Sequence, residues 1–216
     1  MTGNVTSMST NATTGHPGPG RPRLVDQRRT GANPREEILD AASELFTRNG
    51  YAGTSTRRIA DEVGMRQASL YHHFATKDDI LAALLQTTVE SSLVRARELL
   101  ESDDPALDRL IELARFDVTQ LAASRWNLGA LYLLPELHAP RFTEFRDART
   151  ELARAYETLA TATLNDSDDT RALLPFRLVE SVIMMRSDEQ RGELGERTVT
   201  DLVDTIVGAI RILLEH

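Results

Sequence analysis

The sequence predicts an all-α fold, and three observations carry that expectation. From Pro34 onward there is no sustained period-two alternation. Apolar residues recur instead at helical spacing, and breakers such as Gly50, Gly64, "SDDP" at 102–105 and "NDSDD" at 165–169 separate the periodic stretches. At 216 residues the chain is long enough for one large domain or two small ones with a proper core.

Residues 1 to about 33 are rich in Thr, Ser, Asn, Gly and Pro and nearly free of large apolar residues, so disorder is expected there. A first helix is expected over about 35–48, with Ile38, Ala41, Ala42, Leu45 and Phe46 on one stripe and Gly50 as its stop. A short second helix starts near Ser55/Thr56 and ends at Gly64, and a third covers roughly 66–73. Thr76 and Asp79 form a capping box for a long fourth helix, whose buried face holds Ile80, Leu81, Leu84, Leu85 and Leu93. After 102–105, where Asp104 is expected to cap and Pro105 to open the helix, a fifth runs to about Ser124. A less regular stretch around Pro135 and Pro140 precedes a helix over about 142–164. Pro175 marks the start of the next, expected to reach about Arg186. The last helix, from about Glu196, has apolar residues at 199, 202, 203, 206, 207, 210, 213 and 214.

Composition excludes several classes. There is no cysteine, which removes disulfides, zinc knuckles and thiol nucleophiles and fits a reducing cytoplasm. The first twenty residues have neither charge nor a long apolar run, and the stretch 202–214 is too short and too charged to span a bilayer. Net charge is −8, yet residues 21–80 carry ten Lys/Arg against nine Asp/Glu; the acidity lies in the C-terminal two-thirds. Adjacent helical residues point about 100° apart, so His72 and His73 do not converge on one metal ion, and no nucleophile with a matching base is apparent. The pairs Asp103–Asp104 and Asp168–Asp169 sit at helix starts and read as caps. Neither a catalytic group, a cofactor nor a metal is called for.

The informative constellation is the turn between the second and third helices. Ala60, Gly64 and Leu70 stand in the order small, glycine, large apolar, as a helix-turn-helix requires. Ala60 permits close crossing, Gly64 takes the left-handed turn, and Leu70 anchors the second helix of the pair. With Leu70 and Phe74 inward, the third helix presents Gln67, Ala68, Ser69, Tyr71, His72 and His73 on its other side. Glutamine can read adenine, alanine can meet a thymine methyl, and hydroxyls and imidazoles can donate to phosphate. Thr56 and Lys77 lie at helix N-termini suited to phosphate, and Arg57 can reach guanine.

These residues carry a resemblance. "TSTRRIADEVGMRQASLYHHFATKDDIL", preceded by "REEILDAASELFTRNGY", resembles the DNA-binding domain of the TetR family of bacterial repressors over roughly residues 35–85. The resemblance implies an N-terminal three-helix helix-turn-helix DNA-binding domain at 34–83. It also implies a C-terminal helical ligand-binding and dimerisation domain at 84–216. By the family pattern Gln67, Ala68 and Ser69 become base-proximal, Arg57 a guanine contact, Thr56 and Lys77 phosphate contacts, and Tyr71 and His73 phosphate or base-sugar contacts. His72 stands where the family commonly has an aromatic, and it packs as much as it binds. The basic tail "GRPRLVDQRR" resembles extensions that enter the minor groove; a flexible linker is the alternative.

The implied partners are a double-stranded operator, a small-molecule effector and a second copy joined through the last two helices, in the cytoplasm and away from membranes. Candidate pocket residues are the aromatics Phe116, Trp126, Tyr132, Phe142, Tyr156 and Phe176, with Met184 and the polar Gln120 and His138; ordinary core is the competing reading for any one of them. The last helix's stripe is either intramolecular core or, with Gly208 and Ala209, part of a four-helix dimer interface. Against a ligand-responsive regulator stand an enzyme or carrier that merely kept a helix-turn-helix, and a protein-binding adaptor.

Overall fold

The computed structural model describes residues 31–195 and 197–215. The basic tail "GRPRLVDQRR" lies outside them. Among the described residues there are helices and turns and no strand.

The described residues form eight α-helices in order: α1 (Pro34–Asn49), α2 (Thr56–Val63), α3 (Gln67–Tyr71), α4 (Lys77–Glu101), α5 (Ala106–Ala123), α6 (Thr143–Leu164), α7 (Leu174–Gln190) and α8 (Val199–Glu215). Three 3₁₀ turns (Leu128–Leu133, Pro135–His138 and Pro140–Phe142) join α5 to α6, and a fourth (Thr170–Leu173) leads into α7. Prolines at 135 and 140 explain the first set: they remove donors that a continuous helix would need.

The ends are set by local chemistry. Asn33 caps α1 by accepting from the Glu36 N–H at 3.1 Å, so structure begins inside the segment expected to be disordered to 33. Gly64 closes α2 at φ 76°, with Met65 N–H donating to the Ala60 carbonyl at 2.9 Å and Gly64 N–H to that of Asp61 at 3.2 Å. Thr76 and Asp79 make the capping box of α4 reciprocally, at 3.1 and 2.9 Å.

Three expectations change, and one open alternative is decided. Helix α3 is shorter than 66–73, since residues 72 and 73 bond back to 69 and 70 as turns. Pro105 is the N-cap residue of α5 rather than its first helical one, and Asp104 accepts from Ser102 instead of capping. Helix α7 runs on to Gln190. The stripe of α8 is core: Leu202, Val203, Ile206, Val207, Ile210 and Leu214 are buried, and α8 packs chiefly on α5.

α1, α2 and α3 pack around Ile38, Phe46, Ile59, Ala60, Leu70 and Phe74 and close on the first turns of α4. The rest of α4, at 1.5 Å rise the spine of a 25-residue helix about 37 Å long, lies against α5 and α6. One continuous core therefore joins the two ends of the molecule through α4.

Candidate DNA-binding surface and effector cavity

The surface of the helix-turn-helix is built outward from that core. Leu70 and Ile59 are fully buried and fix the rotation of α3 and α2. Ala68, Ser69, His72, His73 and Arg57 are left exposed, with Gln67 and Thr56 half-buried beside them. The structure brings three of these side chains together. Gln67 Nε2 donates to Thr56 Oγ1 at 2.9 Å and to the Tyr71 hydroxyl at 3.3 Å, and Thr56 and Tyr71 are 3.2 Å apart. The amide of Gln67 is thus held in one orientation on the exposed face, so little side-chain entropy is left to lose in any further contact. Arg57 lies 4.0 Å from Asp61 across one exposed turn, a contact too loose to hold it.

Lys77 occupies a different setting. Its ammonium donates to the carbonyls of Tyr51 and Thr54 at 2.8 and 2.9 Å and sits 4.0 Å from the centroid of the Tyr51 ring. Tyr51 in turn hydrogen-bonds Asp78, and burial together with that carboxylate raises its phenol above the ordinary tyrosine range. The lysine therefore locks the α1–α2 turn to the head of α4, a role that spacing alone did not disclose. An ammonium has three N–H donors, so one is left uncommitted by these two bonds.

Two polar arms reach this unit from the 3₁₀ connector between α5 and α6. Trp126 Nε1 donates to Asp40 on α1 at 3.3 Å, with Arg48 and Arg125 stacked on the indole. Arg141 donates to Thr76 at 2.9 Å and pairs with Asp78 at 3.2 Å, on the capping box itself.

A cavity of about 30 Å³ lies between α4, α5, α6 and α7. Thr88, Val89 and Ser92 come from α4, Asp117, Gln120 and Leu121 from α5, Arg149 and Leu152 from α6, and Phe176, Val179, Glu180 and Ile183 from α7, with Tyr132 entering from the connector. Of the expected pocket residues, Gln120, Tyr132 and Phe176 line it. Tyr156 lies fully buried behind it, its hydroxyl on Asp117 at 2.7 Å, and Phe142 is core. Trp126 packs against α1 and lines an adjoining pocket; Phe116 lines an outer groove with Arg95 and Glu112, His138 is exposed in a groove with Arg146, and Met184 is 53% exposed on α7.

Asp117 was not foreseen. The signal was present, because it falls on the apolar stripe of α5 with Leu110, Leu113, Ala114 and Val118. It is 3% exposed; Oδ2 accepts from Tyr156 and Oδ1 has no hydrogen-bond partner. Burial pushes its carboxyl up to about 6, against the opposing pull of the Ser92 and Tyr156 hydroxyls. Arg149 is turned to Glu180 by bonds of 2.8 and 2.6 Å. Tyr132 donates to Thr88 at 2.6 Å, which passes on to the Leu85 carbonyl, and burial pushes the Tyr132 phenol up to about 12. Among the described residues no cluster of three or more His, Cys, Asp or Glu is placed to hold a metal, and no helix is long and apolar enough to cross a membrane.

Residues 38–84 match the profile of the bacterial regulatory proteins of the tetR family. The crystal structure of AmtR from Mycobacterium smegmatis is 55% identical, with a TM-score of 0.78 over 87% of this chain and 89% of that one. This chain belongs to the TetR family. The repressor KstR2 of Mycobacterium tuberculosis is 37% identical over 76 residues, 35% of this TetR-family chain and 38% of the relative, so that likeness spans well under half of either protein. AibR, solved with isovaleryl coenzyme A and operator DNA, shares the fold at 17% identity, with a TM-score of 0.65 over 82% of this chain and 97% of that one.

Proposed function

We propose that this protein is a ligand-responsive transcriptional regulator, a repressor that binds a palindromic operator as a homodimer and leaves it when a small molecule binds. The observation that carries the reading is the Thr56–Gln67–Tyr71 cluster on the exposed face of the helix-turn-helix, beside Ala68 and Ser69. Gln67, Ala68, Ser69 and Arg57 read bases; Thr56, Tyr71, His73 and the third N–H of Lys77 meet backbone, with His72 at its edge. Residues 34–83 form the DNA-binding unit and 84–216 the effector and dimer unit.

With the stripe of α8 in the core, pairing falls to the outer flanks of the last two helices. Leu174, Met184 and Ile212 stay exposed there, and a β-carbon added at Gly208 would meet nothing within 4 Å. A two-fold dimer through these flanks sets two α3 helices in successive major grooves roughly 34–36 Å apart. An effector between α4 and α7 favours a different separation, and operator affinity falls by the coupling free energy. The protein acts in the cytoplasm as a regulator and not as an enzyme.

Footprinting on the intergenic DNA next to its own coding sequence tests this. A two-fold symmetric protected site is expected; protection independent of sequence, or none, contradicts it.

A further inference from the structure

Three properties of the inner cavity point to the chemistry of its occupant. The first is an unanswered acceptor. Asp117 is almost wholly buried and lines the cavity; Oδ2 accepts from Tyr156 at 2.7 Å, while Oδ1 has no partner of hydrogen-bond geometry, the nearby Ser92 hydroxyl easing its charge without meeting that geometry. Holding Tyr156 needs only one acceptor oxygen, which a neutral asparagine supplies equally well. A buried charge with an open oxygen is costly, and such groups concentrate where a ligand completes them.

The second is the direction of the other polar groups. The hydroxyl protons of Tyr132 and Thr88 are already donated, to Thr88 and to the Leu85 carbonyl. Arg149, the one arginine of the lining, is held by Glu180, which Arg177 also engages at 2.7 Å. The Ser92 hydroxyl acts on Asp117 itself and the Gln120 amide can turn either way, so the charged groups of the lining, Asp117, Glu180 and Arg149, leave it one negative charge in excess.

The third is size. About 30 Å³ holds a group of few heavy atoms, far below the roughly 300–1,000 Å³ of a drug-sized pocket. A second pocket of about 110 Å³ adjoins it, sharing Thr88, Gln120 and Leu121, and Gln120 is exposed at the junction. A head group inside and a short tail outside fit this pair.

We propose that Asp117 is the anchor of a binding site for a small organic cation bearing N–H donors, an amine, amidine or guanidine, which enters past Gln120. This rests on the reading of the protein as an effector-responsive regulator and names its effector class. A coenzyme A thioester, as seen with AibR, is the wrong charge for the inner lining, where its phosphates would meet no free cation; Arg186 of the adjoining pocket is already turned to the Leu121 and Ser124 carbonyls.

The test uses the full chain with methylammonium, guanidinium and 1,3-diaminopropane, against acetate and isovaleryl coenzyme A as anions. Calorimetric binding and operator release are read in parallel. At least one cation binds and releases operator, and Asp117→Asn, folded by circular dichroism, weakens its binding about thirty-fold or more. Gln120→Arg, at the exposed mouth, also weakens it and decides the matter if the first variant does not fold. Operator binding that persists while no cation binds overturns the proposal and leaves the regulator standing. So does equal binding to wild type and Asp117→Asn, or binding of the anions alone. Cation binding without any sequence-specific DNA binding overturns the regulator and leaves the cavity assignment standing.

Discussion

Lys77 and Tyr51 hold each other twice: the ammonium donates to the tyrosine carbonyl at 2.8 Å and lies 4.0 Å from the centre of its ring. The pair joins the α1–α2 turn to the head of α4, where Arg141 of the connector also binds. A residue expected to contact phosphate thus fixes how the α1–α2 turn sits on the head of α4.

Lys77→Ala leaves the Tyr51 and Thr54 carbonyls without this donor, and a loss of about 1–3 kcal/mol in stability is expected. Denaturant unfolding measures it. If the third N–H meets a phosphate, the folded variant also binds operator and random DNA more weakly, and its salt slope falls by about 1. An unchanged slope removes Lys77 from the phosphate contacts and leaves it a purely structural residue.

Tyr71→Phe deletes the hydroxyl to which Gln67 donates and which adjoins Thr56, without altering the packing of Leu70. Specific binding is expected to weaken by about 1 kcal/mol. Arg57→Ala should cost about 1–3 kcal/mol and relax preference at one base position. Affinity measured over a set of single-base operator variants reads both; uniform losses across the set contradict the assignment of Arg57 to a base.

Asp117 makes a prediction about pH. Its folded carboxyl titrates at about 6, above the ordinary 3.8, so the native state binds the proton more tightly than the unfolded chain. Its contribution is therefore favourable at low pH, and stability is lost as pH rises from about 4 through 6. By pH 7.5 the cost approaches roughly 3 kcal/mol. The groups around it are Ser92 on α4, Arg149 and Tyr156 on α6, Glu180 on α7 and Tyr132 on the connector, and burial outweighs them. Asp117→Asn should consequently be at least as stable as wild type at pH 7.5, with the difference shrinking below about pH 5. Unfolding curves at both pH values check this; a variant much less stable at pH 7.5 would make the carboxylate a structural necessity.

Gly129 tests the link between cavity and connector. A β-carbon there would fall 2.5 Å from Ile183 Cδ1 and 2.6 Å from Cγ1 on α7. Gly129→Ala should destabilise by about 1–3 kcal/mol, and Ile183→Val, which removes Cδ1, should restore part of it. A double-mutant cycle in thermal or chemical unfolding gives the coupling, and strict additivity contradicts the contact.

Most of the DNA-binding unit was legible in the sequence because its chemistry is local. Ala60, Gly64 and Leu70 specify a turn by spacing alone, and Thr76 with Asp79 spells a capping box four residues long. The cavity was not legible, since its lining comes from four helices and a connector whose packing no local pattern encodes. Residue type also pointed to His138 and Met184, which the tertiary arrangement turns outward, and to Trp126, which reaches only the adjoining pocket while donating to Asp40 on α1. The lone Asp117 on an apolar stripe was the better signal. Likewise the stripe of α8 could not reveal whether α5 or a second copy covers it, because apolar spacing records burial and not the identity of what buries it.

The central claim is sequence-specific DNA binding through the face of α3 oriented by Gln67. Fluorescence anisotropy at fixed salt, with duplexes from the protected upstream site and scrambled versions of it, measures it most directly. Wild type should prefer the intact site by about 10³ or more, and Gln67→Ala should lose about 1–3 kcal/mol on the intact site alone. Equal affinity for intact and scrambled duplexes, or equal loss on both in the variant, would contradict the account.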